Sequence, residues 1–304
     1  MNIVKNIICD YEKIIKTSIT IPLSNGDIIK FTFNPQDLPH LLGLQHLVDN
    51  PILFEYSEKR LSATELYGRM CGSGDDAIDT DEFENSAYFN ELFNGRIRYF
   101  SSELILDIIR ARQIIKFDFS KVKNFSTKMD KIEYMFWKKY KNKDNKYGYF
   151  GIGFMSSGKK NDVNYPNTFF FRLDNDYLEN QQEVLPYSLM KRNKKGEKFF
   201  EIYWEQVFKS LEKNKHYKKL KNIYTMEEGT IDKIAIMNCI DDSILKRSEL
   251  LQLDALDLIY LPYMKDGFRW TNDEKCFILK KIKESDKDLP PNEIKRLLNE
   301  YKQK

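Results

Sequence analysis

The chain has 304 residues and a formal net charge of +3, with 41% hydrophobic and 31% charged residues. That is enough to bury one large core or two ordinary ones, and it is far from the profile of a disordered chain. No apolar run approaches the ~20 residues of a membrane-spanning helix, and Asp10, Glu12 and Lys13 follow the opening Met1–Lys5, so neither membrane insertion nor a signal peptide is expected.

Cys9, Cys71, Cys239 and Cys276 are scattered, with no pair at metal-ligand spacing, which argues against a zinc ribbon or a disulfide framework. A reducing, cytoplasmic setting is the expectation. His40, His46 and His216 are the only histidines, too few and too dispersed for a histidine-built metal centre. Charge is unevenly spread. Lys121–Lys146 carries nine lysines against three acids, Lys191–Lys221 carries eleven bases against four acids, and Asp75–Glu84 holds six acids and no base. The plain reading of the lysine runs is solvated surface. The alternative, supported by interleaved aromatics such as Trp137, Tyr140 and Tyr147, is a basic surface for a polyanion such as RNA.

In chain order, residues 2–17 place isoleucines, Val4 and Tyr11 at three- and four-residue spacing, which predicts an amphipathic helix. The alternating runs Ser18–Leu23 and Asp27–Phe33, joined at Asn25-Gly26, predict a β-hairpin. Asn34-Pro35-Gln36-Asp37 then caps a short helix through His40 and on to Val48. The stretch 58–91 is mixed, with Gly72-Ser73-Gly74 and the acidic cluster reading as an exposed loop. Ser101 or Ser102 caps a helix to Arg112. Four strands are expected at Ile114–Phe119, Ile132–Trp137, Gly148–Met155 and Thr168–Leu173. Their Lys/Asn/Gly connections suit antiparallel pairing. A helix over Lys198–Leu211 closes this block. Residues 216–230 read as a polar connector and 231–304 as mostly helical, with Thr271 or Asn272 capping one helix and Pro290-Pro291 opening the last. The expected class is α+β: an N-terminal helix and hairpin and an antiparallel sheet over residues 1–215, then a smaller helical region over 216–304.

Phosphate loops, dinucleotide fingerprints, nucleophile elbows and His-Glu-x-x-His pairs are absent from the sequence. The glycines of Gly148–Gly153 sit inside a strand pattern and read as close packing. The segment Phe31–Leu47, FTFNPQDLPHLLGLQHL, is the most informative, because it holds His40 on a short helix whose leucines must be buried. A lone histidine usually satisfies a backbone carbonyl, but an imidazole in that position can also serve as a general acid or base. His46 falls off the same helical face.

Four segments, Leu38-Pro39-His40-Leu41-Leu42-Gly43-Leu44, Arg96-Ile97-Arg98-Tyr99-Phe100, Ile114-Ile115-Lys116-Phe117-Asp118 and Tyr165-Pro166-Asn167-Thr168-Phe169-Phe170, occur in that order. In motif and order the chain resembles the fourth phage-associated barnase/EndoU/colicin/RelE-like nuclease family over residues 18–175. The resemblance implies a compact α+β nuclease and a ribonuclease working without metal or other cofactor, in the setting of phage–host conflict. RNA is the implied partner, and an inhibitor or antitoxin protein is the expected neighbour of such a toxin.

Cutting RNA without a metal needs a base for the 2′-hydroxyl proton, an acid for the leaving 5′-oxygen, and cations for the charge gathering on phosphorus. On that scheme His40 is the base or acid. Arg98, or alternatively Arg96, binds the phosphate, and Thr168 and Tyr165 donate hydrogen bonds near it. Lys116 and His46 are further substrate contacts. Each has a plainer role: the arginines as helix-edge solvation, Tyr165-Pro166 as a turn, Thr168 as a strand former. Two other functions compete, a non-catalytic RNA- or protein-binding module and, more weakly, a nucleotide transferase. Convergence of His40, Arg98 and Thr168 in one cleft is the feature that separates catalysis from binding.

Overall fold

The computed structural model describes residues 3–72, 77–123, 129–141, 147–156, 163–213, 252–264, 267–285 and 287–303. The connector 216–230, His216, Cys239 and the first acids of the acidic stretch, Asp75 and Asp76, lie outside them. The fold is mixed α+β with two antiparallel sheets, as the sequence predicts, and the chain divides into two compact units. The first takes Met1–Ile19, Lys30–Val184 and Arg192–Glu197, and the second takes Thr20–Ile29, Leu185–Lys191 and Lys198–Lys304. Among the described residues no helix is long and apolar enough to cross a membrane.

The first unit opens with α1 (Ile3–Tyr11), shorter than the 2–17 expected. Ile14 and Ile15 are buried as their spacing demanded, but in a turn that ends on Lys16 at φ +65°, whose N–H donates to the Phe33 carbonyl. The hairpin strands follow as β1 (Ser18–Pro22) and β2 (Ile28–Thr32), with Gly26 at φ +88° in the turn. Next come α2 (Asp37–Leu42), α3 (Pro51–Ser57), α4 (Ala63–Cys71), α5 (Phe89–Gly95) and α6 (Ser102–Arg110). The mixed composition of 58–91 hid α4 and the start of α5, because both are short and bury only two or three side chains each. Ser101 caps α6 through the Leu104 N–H, as expected.

The central sheet has the order β6-β5-β4-β3-β7, with β3 Ile114–Lys116, β4 Ile132–Lys141, β5 Tyr147–Met155, β6 Tyr165–Arg172 and β7 Gln182–Val184. The four expected strands are present and every pairing is antiparallel. One face is an aromatic core in which Phe31, Phe136 and Phe154 meet at ring centroid distances of 4.4–6.4 Å. The other buries Ile115, Met135, Tyr149, Phe170 and Tyr177. A Cβ at Gly151 would collide with the Phe170 ring and one at Gly153 would sit 2.9 Å from both Ile132 and Thr168, so these glycines admit side chains from neighbouring strands.

A four-stranded sheet has the order β2-β1-β8-β9, with β8 Ser188–Arg192 and β9 Lys198–Ile202. The second unit takes Thr20–Pro22 of β1, Ile28 and Ile29 of β2, Ser188–Lys191 of β8 and all of β9, followed by α7 (Trp204–Lys213). The single helix expected over Lys198–Leu211 is therefore corrected. Asn193 and Gly196 (φ +83°) close a turn, with Gly196 N–H donating to the Asn193 carbonyl, and this returns 198–202 as a strand. Helices α8 (residues 252–260), α9 (Asn272–Glu284) and α10 (Pro291–Lys302) bury Leu256, Ile259, Tyr260, Ile278, Ile294 and Leu298 in one cluster. Thr271 forms a full capping box with Glu274, and Pro291 occupies the first turn of α10.

Candidate active site

The entry to α2 is fastened before the helix begins. The Tyr11 hydroxyl donates to the Asn34 carbonyl at 3.0 Å, Asn34 Nδ2 donates to the Thr32 carbonyl at 2.9 Å, and the Asn34 N–H donates to Asp37 Oδ2 at 2.7 Å. Asp37 is 6% exposed, and burial raises its carboxyl pKa to about 7 against the pull of the Asn34 N–H. Leu38, Leu41 and Leu42 are fully buried and anchor the helix. His40 is left half-buried with its ring beside Tyr56 of α3, centroids 5.4 Å apart. Burial lowers its pKa, so the imidazole is neutral near pH 7.

The helix expected to run to Val48 stops at Leu42, because Gly43 takes φ +75° and sends its N–H to the His40 and Pro39 carbonyls. A short 3-10 turn, Leu44–His46, follows. Gly43 is also a site of close approach. A Cβ there would lie 2.9 Å from Leu92 Cδ1, 3.1 Å from Arg96 Nη1 and 3.2 Å from Arg96 Cδ. Arg96 thus crosses bare backbone to reach β6, where its Nη1 donates to Thr168 Oγ1 at 3.0 Å. Thr168 is buried, α2 packs along β6, and Arg96 makes no carboxylate pair among the described residues. Burial brings the Arg96 pKa from 12.5 to about 10, which leaves it charged at neutral pH. It is a half-buried cation held by a neutral hydroxyl, a state that costs free energy unless an anion completes it.

His46 lies in the same field. Its pKa is lowered first by burial and then by Arg96, while Glu91 of α5 pulls the other way. Its Nε2 is 3.5 Å from Gln45 Nε2.

The structure therefore brings Gly43, His46, Arg96 and Thr168 together, with His40 one turn before Gly43 on α2. Arg98 stands apart. It is exposed, its Nη1 donates to Asn94 Oδ1 at 3.0 Å, and its guanidinium lies 4.7 Å from the Tyr99 ring centroid. Tyr165 opens β6 opposite Met155 and is 36% exposed. Lys116 is on β3 opposite Tyr134, its Nζ 5.8 Å from that ring centroid. Sequence reasoning missed Glu91, Tyr56 and the charge state of Asp37. Asp37 carried a signal, an acid in the first turn just before Leu-Pro. Glu91 and Tyr56 carried none, since only tertiary packing brings them to the histidines. Among the described residues no three His, Cys, Asp or Glu side chains converge in a way that could hold a metal ion.

The sequence profile of the phage-Barnase-EndoU-ColicinE5/D-RelE like nuclease4 family matches residues 3–221. No curated protein and no solved structure matches the chain significantly. The matched span exceeds two thirds of the chain and contains every residue of the site, so this chain belongs to the phage-Barnase-EndoU-ColicinE5/D-RelE like nuclease4 family.

Proposed function

We propose that the protein is an endoribonuclease that cleaves RNA by attack of the 2′-hydroxyl on the adjacent phosphate, with no metal in the step. The observation that carries this reading is the Arg96 guanidinium, fixed by Thr168 over Gly43 with no carboxylate to neutralise it among the described residues. A phosphodiester supplies the missing charge, and the guanidinium's planar donors suit two of its oxygens. Preorganised in this way, Arg96 stabilises the charge that builds on phosphorus as the 2′-oxygen attacks.

Proton transfer falls to His40 and His46. His40 is half-buried and His46 is exposed, with its pKa lowered by partial desolvation and by the neighbouring Arg96 charge. Either imidazole can accept the 2′-hydroxyl proton near pH 7, and an imidazolium so formed can return a proton to the departing 5′-oxygen. Glu91 favours the protonated state of His46. Thr168 orients the arginine. Tyr165, three residues earlier on the same strand, donates to the RNA from the rim, and Lys116 and Arg98 contribute outer charge.

In the cell, the reading is of a cytoplasmic toxin or anti-phage effector restrained by an inhibitor protein. Domain organisation follows the same proposal, with residues 1–215 as the nuclease and 216–304 as an accessory region. The test is expression of wild type and Arg96→Ala with mapping of new 5′-hydroxyl RNA ends. Growth arrest with such ends in wild type only supports the reading. Harmless wild type with intact RNA overturns it.

A further inference from the structure

The lysine run of β4 divides by strand alternation into two sets. Lys138 is paired with Asp107 of α6 at 3.0 Å and serves the fold. Lys139 and Lys141 point to the opposite face and make no ion pair among the described residues. Their partners across the ladder are Tyr149 and Tyr147. Tyr147 is 66% exposed, the largest exposure of any large hydrophobic side chain described here, and Lys141 Nζ lies 5.4 Å from its ring centroid. Trp137, half-buried, continues the same row. Register ties this patch to the candidate site. Tyr147 and Gly153 share a face of β5, and Gly153 is opposite Thr168, six residues or roughly 20 Å along the strand.

We infer that Lys139, Lys141 and Tyr147 form a second contact surface for single-stranded RNA. The lysines meet the backbone phosphates and the tyrosine stacks on a base of the strand whose cleaved phosphate sits at Arg96. This rests on the ribonuclease reading. The chemistry is the combination that sequence-tolerant single-strand binders use, cations tracking the backbone beside an open aromatic face. A structural role for the three is harder to support. Tyr147 buries little surface, and neither Lys141, whose ammonium lies over its ring, nor Lys139, one pair further along the ladder, has a carboxylate partner among the described residues.

The test uses the full chain and a fluorescein-labelled 2′-O-methyl oligouridylate, which has no 2′-hydroxyl to attack, followed by anisotropy across a salt series. Lys139→Ala and Lys141→Ala should each reduce the slope of log K against log salt by about 0.7. Tyr147→Ala should weaken binding about tenfold without changing the slope. In parallel, the three variants should raise KM on long RNA at unchanged kcat, and leave cleavage of a dinucleotide, too short to span both sites, as in wild type. Circular dichroism checks that these exposed substitutions leave the fold intact. If the wild type cuts RNA but the variants bind with its affinity and slope, the second surface is refuted and the ribonuclease reading stands. Weakening by the lysine variants but not by Tyr147→Ala leaves plain polyanion attraction and refutes the stacking. A wild type that cuts no RNA refutes the ribonuclease reading, and one that also fails to bind the oligouridylate removes the surface with it.

Discussion

Gly43→Ala is the sharpest single perturbation of the site, because one methyl group strains two things at once. The residue sits at φ +75°, where a Cβ costs about 1–2 kcal/mol. The new carbon would also meet Leu92 Cδ1 at 2.9 Å and Arg96 Nη1 and Cδ at 3.1 and 3.2 Å. Leu92 is buried, so it yields only by disturbing its neighbours, and overpacking of this kind adds about 1–3 kcal/mol. The combined loss is about 2–5 kcal/mol, read as a lower urea midpoint by circular dichroism and as faster hydrogen exchange over residues 37–47. Gly68→Ala, inside α4 with open space around the added carbon, is the control, and it should stabilise by about 0.5–1 kcal/mol. The double variant Gly43→Ala/Arg96→Ala removes the arginine contacts and should recover part of the loss, leaving the backbone and Leu92 costs. Gly43→Ala with stability within about 0.5 kcal/mol of wild type would refute the crowded left-handed turn, and a double-mutant cycle with no coupling between Gly43→Ala and Arg96→Ala would refute the close approach of Arg96.

Further outcomes follow from the same geometry. Arg96→Ala should raise the His46 pKa by removing a neighbouring positive charge, and Glu91→Gln should lower it, both read by NMR titration of a protein with only three histidines. Asp37 is buried with its pKa raised to about 7, so its native form holds a proton that the unfolded chain has lost above its ordinary value near 3.8. Stability from this group is complete below that value and is lost as pH rises through about 7; Asp37→Asn, which keeps an acceptor for the Asn34 N–H, should flatten this slope in urea titrations at stepped pH. Thr271→Ala removes the capping-box acceptor of α9 and should cost about 1 kcal/mol in the second unit, with RNA cleavage unchanged.

Much of this was legible from residue pattern, and the rest was lost for identifiable reasons. The hairpin, α6 and the four strands β3 to β6 carry strong periodicity or specific turn chemistry, and they stand where the pattern puts them, except that β3 ends at Lys116 where the pattern carried it to Phe119. Family membership was carried by short motifs, and the LPHLLGL segment now has a physical account: leucines anchor the helix and the glycine ends it and admits an arginine. Pattern failed at β9. Phe199 and Tyr203 suit a helical stripe, and the turn at Asn193 to Gly196 overrides it by pairing the segment with β8. The choice between Arg96 and Arg98 could not be read from spacing. It depends on which guanidinium crosses Gly43 to Thr168, a contact between segments distant in sequence.

The central claim is that Arg96 provides the charge for cleavage of RNA at a 2′-hydroxyl-bearing phosphate. It is tested most directly by incubating the purified 304-residue chain and its Arg96→Ala and Arg98→Ala variants with a defined single-stranded RNA in EDTA and sequencing the ends. The account predicts that wild type and Arg98→Ala generate 2′,3′-cyclic phosphate and 5′-hydroxyl ends, that Arg96→Ala loses on the order of a hundredfold or more in rate, and that a 2′-deoxy nucleotide at the cut site abolishes cleavage. Intact RNA with wild-type protein, or Arg96→Ala cutting at the wild-type rate, would contradict it.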